Sequence, residues 1–296
     1  MNYLLPFFTV VIWGGNAIIN KMAASVIEPS AMSFYRWFLA FLLLTPFCLY
    51  ASIRQWPNIK PNLAKIAFLA LLGMVLNQSL GYYAGLSTSA SNMSMIISLV
   101  PLITIFLSVP LLSKKLSVMT VIAALISILG LAYMLGKGDL LYFLNNPLNQ
   151  GDALMLMATV VYAAYCVLLK RWKMPLSNWV FIYVQVVFAV IFLTPLWLSS
   201  THLIAPVSAI PLIAYASILA SIIAPWLWVK SIQLIGADNS AMFMNLLPVV
   251  TISLAVTLLS ENLYHYHIVG GILVITGVIF AQIRWPKFNR LRFKNT

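Results

Sequence analysis

The sequence predicts an all-α membrane protein of ten transmembrane helices, laid out as two inverted five-helix repeats with both termini cytoplasmic. Three observations carry this. Hydrophobic residues make up 62% of the 296 and charged residues 7%, a balance that water-soluble domains do not reach. The apolar residues fall into about ten runs, and all five acidic side chains (Glu28, Asp139, Asp152, Asp238 and Glu261) lie in the gaps between them. Finally, a stretch of the first half recurs, without gaps, in the second.

Crossing a hydrocarbon layer of about 30 Å takes roughly 17–25 apolar residues in a helix. The runs that qualify are Leu4–Asn20, Ala31–Tyr50, Ile66–Leu86, Met93–Leu112, Val118–Leu135, Ala153–Leu169, Trp179–Leu198, Ile210–Ile232, Ala241–Leu259 and Ile268–Ile283. They use nearly the whole chain and leave no room for a soluble domain. Lipid supplies no hydrogen-bond partners to the backbone, so only helices or closed barrels can span it, and none of the runs shows the period-two alternation of barrel strands. The first run reads as a retained span rather than a cleaved signal, because Met1-Asn2-Tyr3 carries no basic side chain and Trp13-Gly14-Gly15-Asn16 interrupts it. Cys48 and Cys166 fall inside spans and read as small buried hydrophobes rather than a disulfide.

The formal charge of +12 reports orientation rather than nucleic-acid binding. With the N-terminus inside, the cytoplasmic loops and tail hold thirteen basic residues, from Arg54, Lys60 and Lys65 to Arg292 and Lys294. The outer loops hold two, Lys21 and Lys137; Arg36 and Lys230, inside spans, complete the 17. The basic tail is expected to rest on anionic headgroups.

A shift of 147 residues sets Ser98-Leu99-Val100-Pro101-Leu102-Ile103-Thr104 on Asn245-Leu246-Leu247-Pro248-Val249-Val250-Thr251. The same shift sets Leu111-Leu112-Ser113-Lys114 on Leu258-Leu259-Ser260-Glu261, and Gly130 on Gly277. Five spans per half place the second half upside down relative to the first, a plan shared by many secondary transporters. The expected boundaries are 1–137 for the first repeat, 138–150 for a linker, 151–284 for the second repeat and 285–296 for the basic tail.

These residues resemble the EamA domains of the drug/metabolite transporter superfamily, ten-helix proteins built from two such repeats. The resemblance is carried by Trp13-Gly14-Gly15-Asn16, Phe34-Tyr35-Arg36-Trp37, the small residues leading to Pro101, Gly151-Asp152-Ala153-Leu154, the run from Ala237 to Pro248, Leu258-Leu259-Ser260-Glu261 and Gly270-Gly271 through Gly277. It covers most of the chain. Lys114 departs from the family, which often has Glu there, and reads as an orientation signal. The resemblance implies movement of amino acids, other small metabolites or drug-like compounds, often outward across the bacterial inner membrane.

With two inverted halves, the natural cavity lies between them near the midplane. Polar and aromatic residues inside spans are therefore the candidates for substrate binding: Trp13, Asn16, Arg36, Gln78, Tyr82, Ser98, Tyr162, Tyr165, Gln185, Trp228 and Asn245. Trp13, Asn16 and Asn20 share one helix face by spacing, as do Gln78 with Tyr82 and Tyr162 with Tyr165. For each one the alternative is helix–helix glue or core packing. Arg36 stands out, since a desolvated guanidinium needs a wet cavity, a partner or an interface to snorkel to, and a substrate carboxylate would match its fork. Lys230 lies near a span end and reads as snorkelling. Gln185 takes the position of Arg36 in the second repeat at a shift of 149. Pro101 and Pro248 are candidate hinges. Pro101, Pro225 and Pro248 fall inside spans, and each of the three is expected to remove a backbone hydrogen bond and kink its helix.

No Asp, Glu or His occurs mid-span, so proton coupling through a buried carboxylate is not expected, and a facilitated carrier or weakly coupled exchanger is. His265-Tyr266-His267 beside Glu261 reads as a solvated loop, not a metal site. No cofactor, metal or nucleic acid is expected; the partners are a small-molecule substrate and the bilayer, with the chain a monomer or weak homodimer in the cell inner membrane. An enzyme is disfavoured because the spans hold no His or Asp, and a channel because no charged ring marks a filter. Efflux of cationic drugs is the second substrate class, weakened by the lack of buried carboxylates.

Overall fold

The computed structural model describes residues 2–113, 116–235, 240 and 243–282. Lys114, Lys115, Asp238 and the chain from residue 283 on, which bear on the charge and tail readings, lie outside the described residues. Nine helices among the described residues are long and apolar enough to cross a membrane, and a tenth apolar helix is shorter. They are α1 (Leu4–Ala23), α2 (Pro29–Arg54), α3 (Trp56–Ala84), α4 (Ala90–Leu112), α5 (Val118–Leu135), α6 (Gln150–Arg171), α7 (Asn178–Leu198), α8 (Val207–Ile232), α9 (Met244–Leu259) and α10 (His265–Gln282). A single helical turn, Tyr142–Asn145, lies between α5 and α6.

Local chemistry sets the ends. Ser89, Ser117 and Asn149 cap α4, α5 and α6 by accepting from the backbone N–H of Asn92, Thr120 and Gly151, and proline opens α2. The third helix starts ten residues before the expected Ile66, because Lys60 and Lys65 stand in its first turns; a count of apolar residues misses polar turns that remain helical. Exposed apolar side chains such as Phe47, Leu125, Leu129 and Ile272 ring the bundle, as suits a chain whose solvent is lipid.

The principal helix pairings map onto one another when each helix of the first five is exchanged with its counterpart five later. α5 pairs with α10 and α2 with α7; α1 packs on α8 and α9 as α6 packs on α3 and α4. The α5–α10 seam uses small residues, since without a hydrophobic drive in lipid the backbones must approach closely to gain dispersion energy. Gly130 and Gly270 face one another there, and a Cβ on Gly130 would come within 2.8 Å of the Gly270 carbonyl. Ser127 Oγ donates to the Val274 carbonyl at 3.1 Å across the same seam. Near α4, Met93, Ile96, Met134 and Val274 form the largest buried cluster, and Phe34, Trp37 and Tyr183 anchor a second between α2 and α7.

Positions 147 apart also share backbone detail. Ser113 and Ser260 end α4 and α9 in the left-handed conformation, at φ 53° and 54°. The π-helical segments Leu71–Leu76 of α3 and Tyr215–Ile223 of α8 overlap at that shift. The prolines correct one expectation. Pro101 and Pro248 are the second residues of the helical segments Val100–Leu112 and Leu247–Leu259, and Pro225 is the second residue of Ala224–Ile235. A residue in the first turn has no intrahelical partner for its N–H, so Pro101 and Pro248 remove no ladder bond, whereas Pro225 follows directly on a π segment and does remove the bond to residue 221. The irregularity lies just before each of them: a break at Ser98-Leu99, a 3₁₀ turn at Met244–Leu246 and the π segment before Pro225.

Candidate functional site

Arg36 lies two turns into α2 and is 3% exposed. It does not snorkel. Its Nε donates to Ser221 Oγ of α8 at 2.8 Å. Its Nη1 faces three acceptors from α1 and α3: Gln78 Oε1 at 2.8 Å, Asn16 Oδ1 at 3.1 Å and Tyr82 Oη at 3.2 Å. The guanidinium carbon stands 5.3 Å from the centroid of the Trp37 ring. Every acceptor is neutral, no carboxylate pairs with Arg36 among the described residues, and Nη2 donates to none of them. The charge is thus solvated by dipoles and left without a counterion.

The surrounding amides are oriented by the same logic. A guanidinium only donates, so both amides turn their oxygens towards it and their nitrogens away. Asn16 Nδ2 then reaches Asn20 Oδ1 at 3.5 Å, and Gln78 Nε2 donates to Asn77 Oδ1 at 2.9 Å. Asn77 Nδ2 passes the chain on to the Ala158 carbonyl of α6 at 3.1 Å. The Ser221 hydroxyl donates to the Ala216 carbonyl five residues back, which leaves its lone pairs for Arg36. The π turn follows from Pro225, whose ring and missing N–H bar the ordinary bond to residue 221.

Aromatic residues flank this cluster. Trp13 Nε1 donates to the Ala220 carbonyl at 3.2 Å, and its ring lies 5.6 Å from that of Trp228. On α6, Tyr162 and Tyr165 stack at 5.6 Å and 19°. Tyr165 packs on Gly73 in the π segment of α3, where a Cβ would meet its ring at 2.7 Å. Gln185 of α7 is fully buried; its Nε2 donates to the Phe181 carbonyl at 3.4 Å, and its Oε1 has no partner among the described residues.

Asn16, Arg36, Gln78 and Tyr82 are therefore joined directly, with Trp13 and Trp228 alongside; Tyr162, Tyr165 and Gln185 form a second group. Ser98 stands apart, its hydroxyl donating to the Met95 carbonyl at 2.6 Å to close the break in α4. Asn245 occupies the 3₁₀ turn before Pro248 and takes no part in the Arg36 bonds. Lys230 is exposed near the end of α8, as a snorkelling side chain would be. Sequence reasoning missed Ser221 and Asn77. Asn77 carried a legible signal, a polar residue beside Gln78 in an apolar run; Ser221 carried none, since serine is ordinary in spans and the π register that aims it is not a local pattern.

The pole that carries Glu28 and Glu261 departs from the expected picture of solvated loops. His265 and His267 lie in the first turn of α10, and His267 is buried, its Nδ1 accepting from Tyr264 N at 3.2 Å. Glu261 caps α4 of the other half, accepting from Ala90 N at 2.8 Å and from Ser91 N and Oγ at 3.2 and 2.7 Å. A carboxylate there meets the positive end of the helix dipole. Asp152, at the start of α6, accepts from Thr88 Oγ1 and Asn92 Nδ2 beside a cleft of about 520 Å³. No group of three or more His, Cys, Asp or Glu able to hold a metal occurs among the described residues.

Comparison with known proteins places this chain among transporters. The model of the EamA-like transporter family matches residues 1–136 and 149–282. An uncharacterized transporter of Bacillus subtilis (strain 168), YyaM, is 24% identical over 300 residues that cover 97% of this chain and 96% of the relative. An uncharacterized transporter of Archaeoglobus fulgidus is 26% identical over 295 residues, 95% of this chain and 97% of its own. One crystal structure covers 95% of this chain and 96% of its own at 16% identity with a TM-score of 0.61, a likeness of fold.

Proposed function

Because the chain belongs to the EamA-like transporter family, a branch of the drug/metabolite transporter superfamily, we propose that it exports small carboxylate-bearing metabolites, amino acids or their derivatives, across the cell inner membrane. The observation that carries the substrate class is Arg36. A buried guanidinium with four neutral partners and an uncommitted Nη2 keeps most of its attraction for an anion, and a carboxylate matches its fork. Its uncompensated charge repels cations, which ranks carboxylates above cationic drugs.

Transport proceeds by alternating access between two inverted halves, with the Arg54 pole and both termini in the cytoplasm. The exchange symmetry of the helix packing, the paired π segments and the matching ends at Ser113 and Ser260 support this reading. The breaks before Pro101 and Pro248 serve as hinges, because a segment boundary bends more easily than an intact helical ladder. With no mid-span acid or histidine, the chain works as a facilitated carrier or weakly coupled exchanger, as a monomer or weak homodimer.

Counterflow in proteoliposomes tests this. Labelled amino acid accumulates against preloaded unlabelled substrate with or without a pH gradient, and Arg36→Ala abolishes accumulation. Uptake that requires the gradient contradicts the uncoupled reading; amino acids that raise the melting temperature of wild type and Arg36→Ala alike contradict the carboxylate role.

A further inference from the structure

We infer that Gln185 and the Tyr162–Tyr165 pair form a second substrate station, one that takes an N–H donor, an ammonium group above all, on the Arg54 side of the Arg36 cluster. The inference deepens the transport reading and rests on it. Gln185 is fully buried, and its Oε1 finds no donor among the described residues. Its Nε2 is held by the Phe181 carbonyl, so the amide cannot turn its oxygen there, and Oε1 must look into the bundle. A buried amide oxygen without a donor is unfavourable and uncommon, which marks a place where a ligand supplies what the fold withholds.

The neighbours fit an ammonium. The Tyr165 hydroxyl lies beside the Gln185 amide. Tyr165 stacks on Tyr162, and both keep some accessible surface in the middle of α6 although they face neighbouring helices. Phenol faces attract a cation and a carbonyl oxygen accepts its N–H, so the two together solvate an ammonium without holding it by a full charge. Easy release, which a carrier needs, follows from that weakness.

Position supports the pairing with Arg36. Asn16 and Arg36 are 20 residues apart, as are Tyr165 and Gln185, and a shift of 149 carries one pair onto the other. Equivalent places in the two halves thus offer opposite chemistry, guanidinium donors in one and an amide oxygen with phenol faces in the other. Ser30 meets Ser200 and Thr45 meets Tyr183, so α2 and α7 run antiparallel and Gln185 stands level with about residue 44. Eight residues of helix separate that level from Arg36, about 12 Å at 1.5 Å per residue. A substrate moving along the bundle meets the two stations in turn, its ammonium at Gln185 and its carboxylate at Arg36.

Charge-selective thiol modification tests this without knowledge of the substrate. In purified protein carrying Cys48→Ser and Cys166→Ser, a single cysteine is placed by Gln185→Cys, and in a second protein by Ser221→Cys. Each reacts with the cationic 2-aminoethyl and the anionic 2-sulfonatoethyl methanethiosulfonates, with rates normalised to free cysteine. The expected result is at least a tenfold preference for the cationic reagent at residue 185 and the reverse preference at residue 221. A residue 185 that favours the anion, or reacts with neither reagent, overturns the second station. Loss of anionic preference at residue 221 alone overturns the Arg36 reading and leaves the Gln185 result standing. Should Gln185→Cys elute as aggregate, Tyr162→Cys carries the same expectation.

Discussion

Arg36 organises the interior because it brings four helices to one charge: α2 supplies it, and α1, α3 and α8 supply its acceptors. Arg36→Lys keeps the charge but replaces a planar fork by a point donor, which cannot serve Ser221 and the α1 and α3 acceptors together. Apparent affinity for a carboxylate substrate is expected to fall about tenfold or more, roughly 1.4 kcal/mol, measured by half-saturation in counterflow. Gln78→Leu removes one acceptor and frees donor capacity, so the purified protein should stay folded while its carboxylate selectivity changes; identical substrate profiles for wild type and Gln78→Leu would contradict a role at the site. At this scale much was legible in the sequence. Asn16, Gln78 and Tyr82 stand out as polar side chains at helical spacing in apolar runs, and Arg36 as the one arginine within them. What was not legible was which of them meet, because contact between α1, α2 and α3 is a product of packing.

Among the elements, the π segments do the aiming. Pro225→Ala restores the N–H that can bond residue 221 in an ordinary helical turn, so the segment can tighten and rotate Ser221 away from Arg36. Transport is expected to drop several-fold while the melting temperature holds, a split that a merely destabilised helix would not give. The α5–α10 seam behaves in the opposite way. Gly130→Val drives a branched side chain into the Gly270 carbonyl and Leu273, and should cost about 1–3 kcal/mol of stability, read as a lower melting temperature in detergent. The spans themselves could be read from apolar run length, and Val118–Leu135 matches to the residue. The early start of α3, the capping role of Glu261 and the burial of His267 could not. Each depends on polar residues whose partners lie elsewhere in the chain, as when Glu261 caps α4 from 170 residues away.

At the scale of the whole molecule, the chain is built of two like halves, each matching the EamA-like family model. The internal match at a shift of 147 made the doubling legible, whereas the exchange pattern of the helix contacts needed the structure. Glu261 and Glu28 each tie the halves together at one pole: Glu261 caps α4 from the second half, and Glu28 holds the Thr201 and His202 backbone from the first. No such carboxylate bond joins the halves at the Arg54 pole among the described residues, where Gln55 and Ser177 meet through neutral groups. The most direct measurement of the central claim is sided labelling of Asn16→Cys, in the protein lacking Cys48 and Cys166, by a membrane-impermeant anionic thiol reagent applied to each face of oriented vesicles. Labelling from both faces, slowed from both by transported substrate, is the result the account requires; labelling from one face only, or from neither, contradicts it.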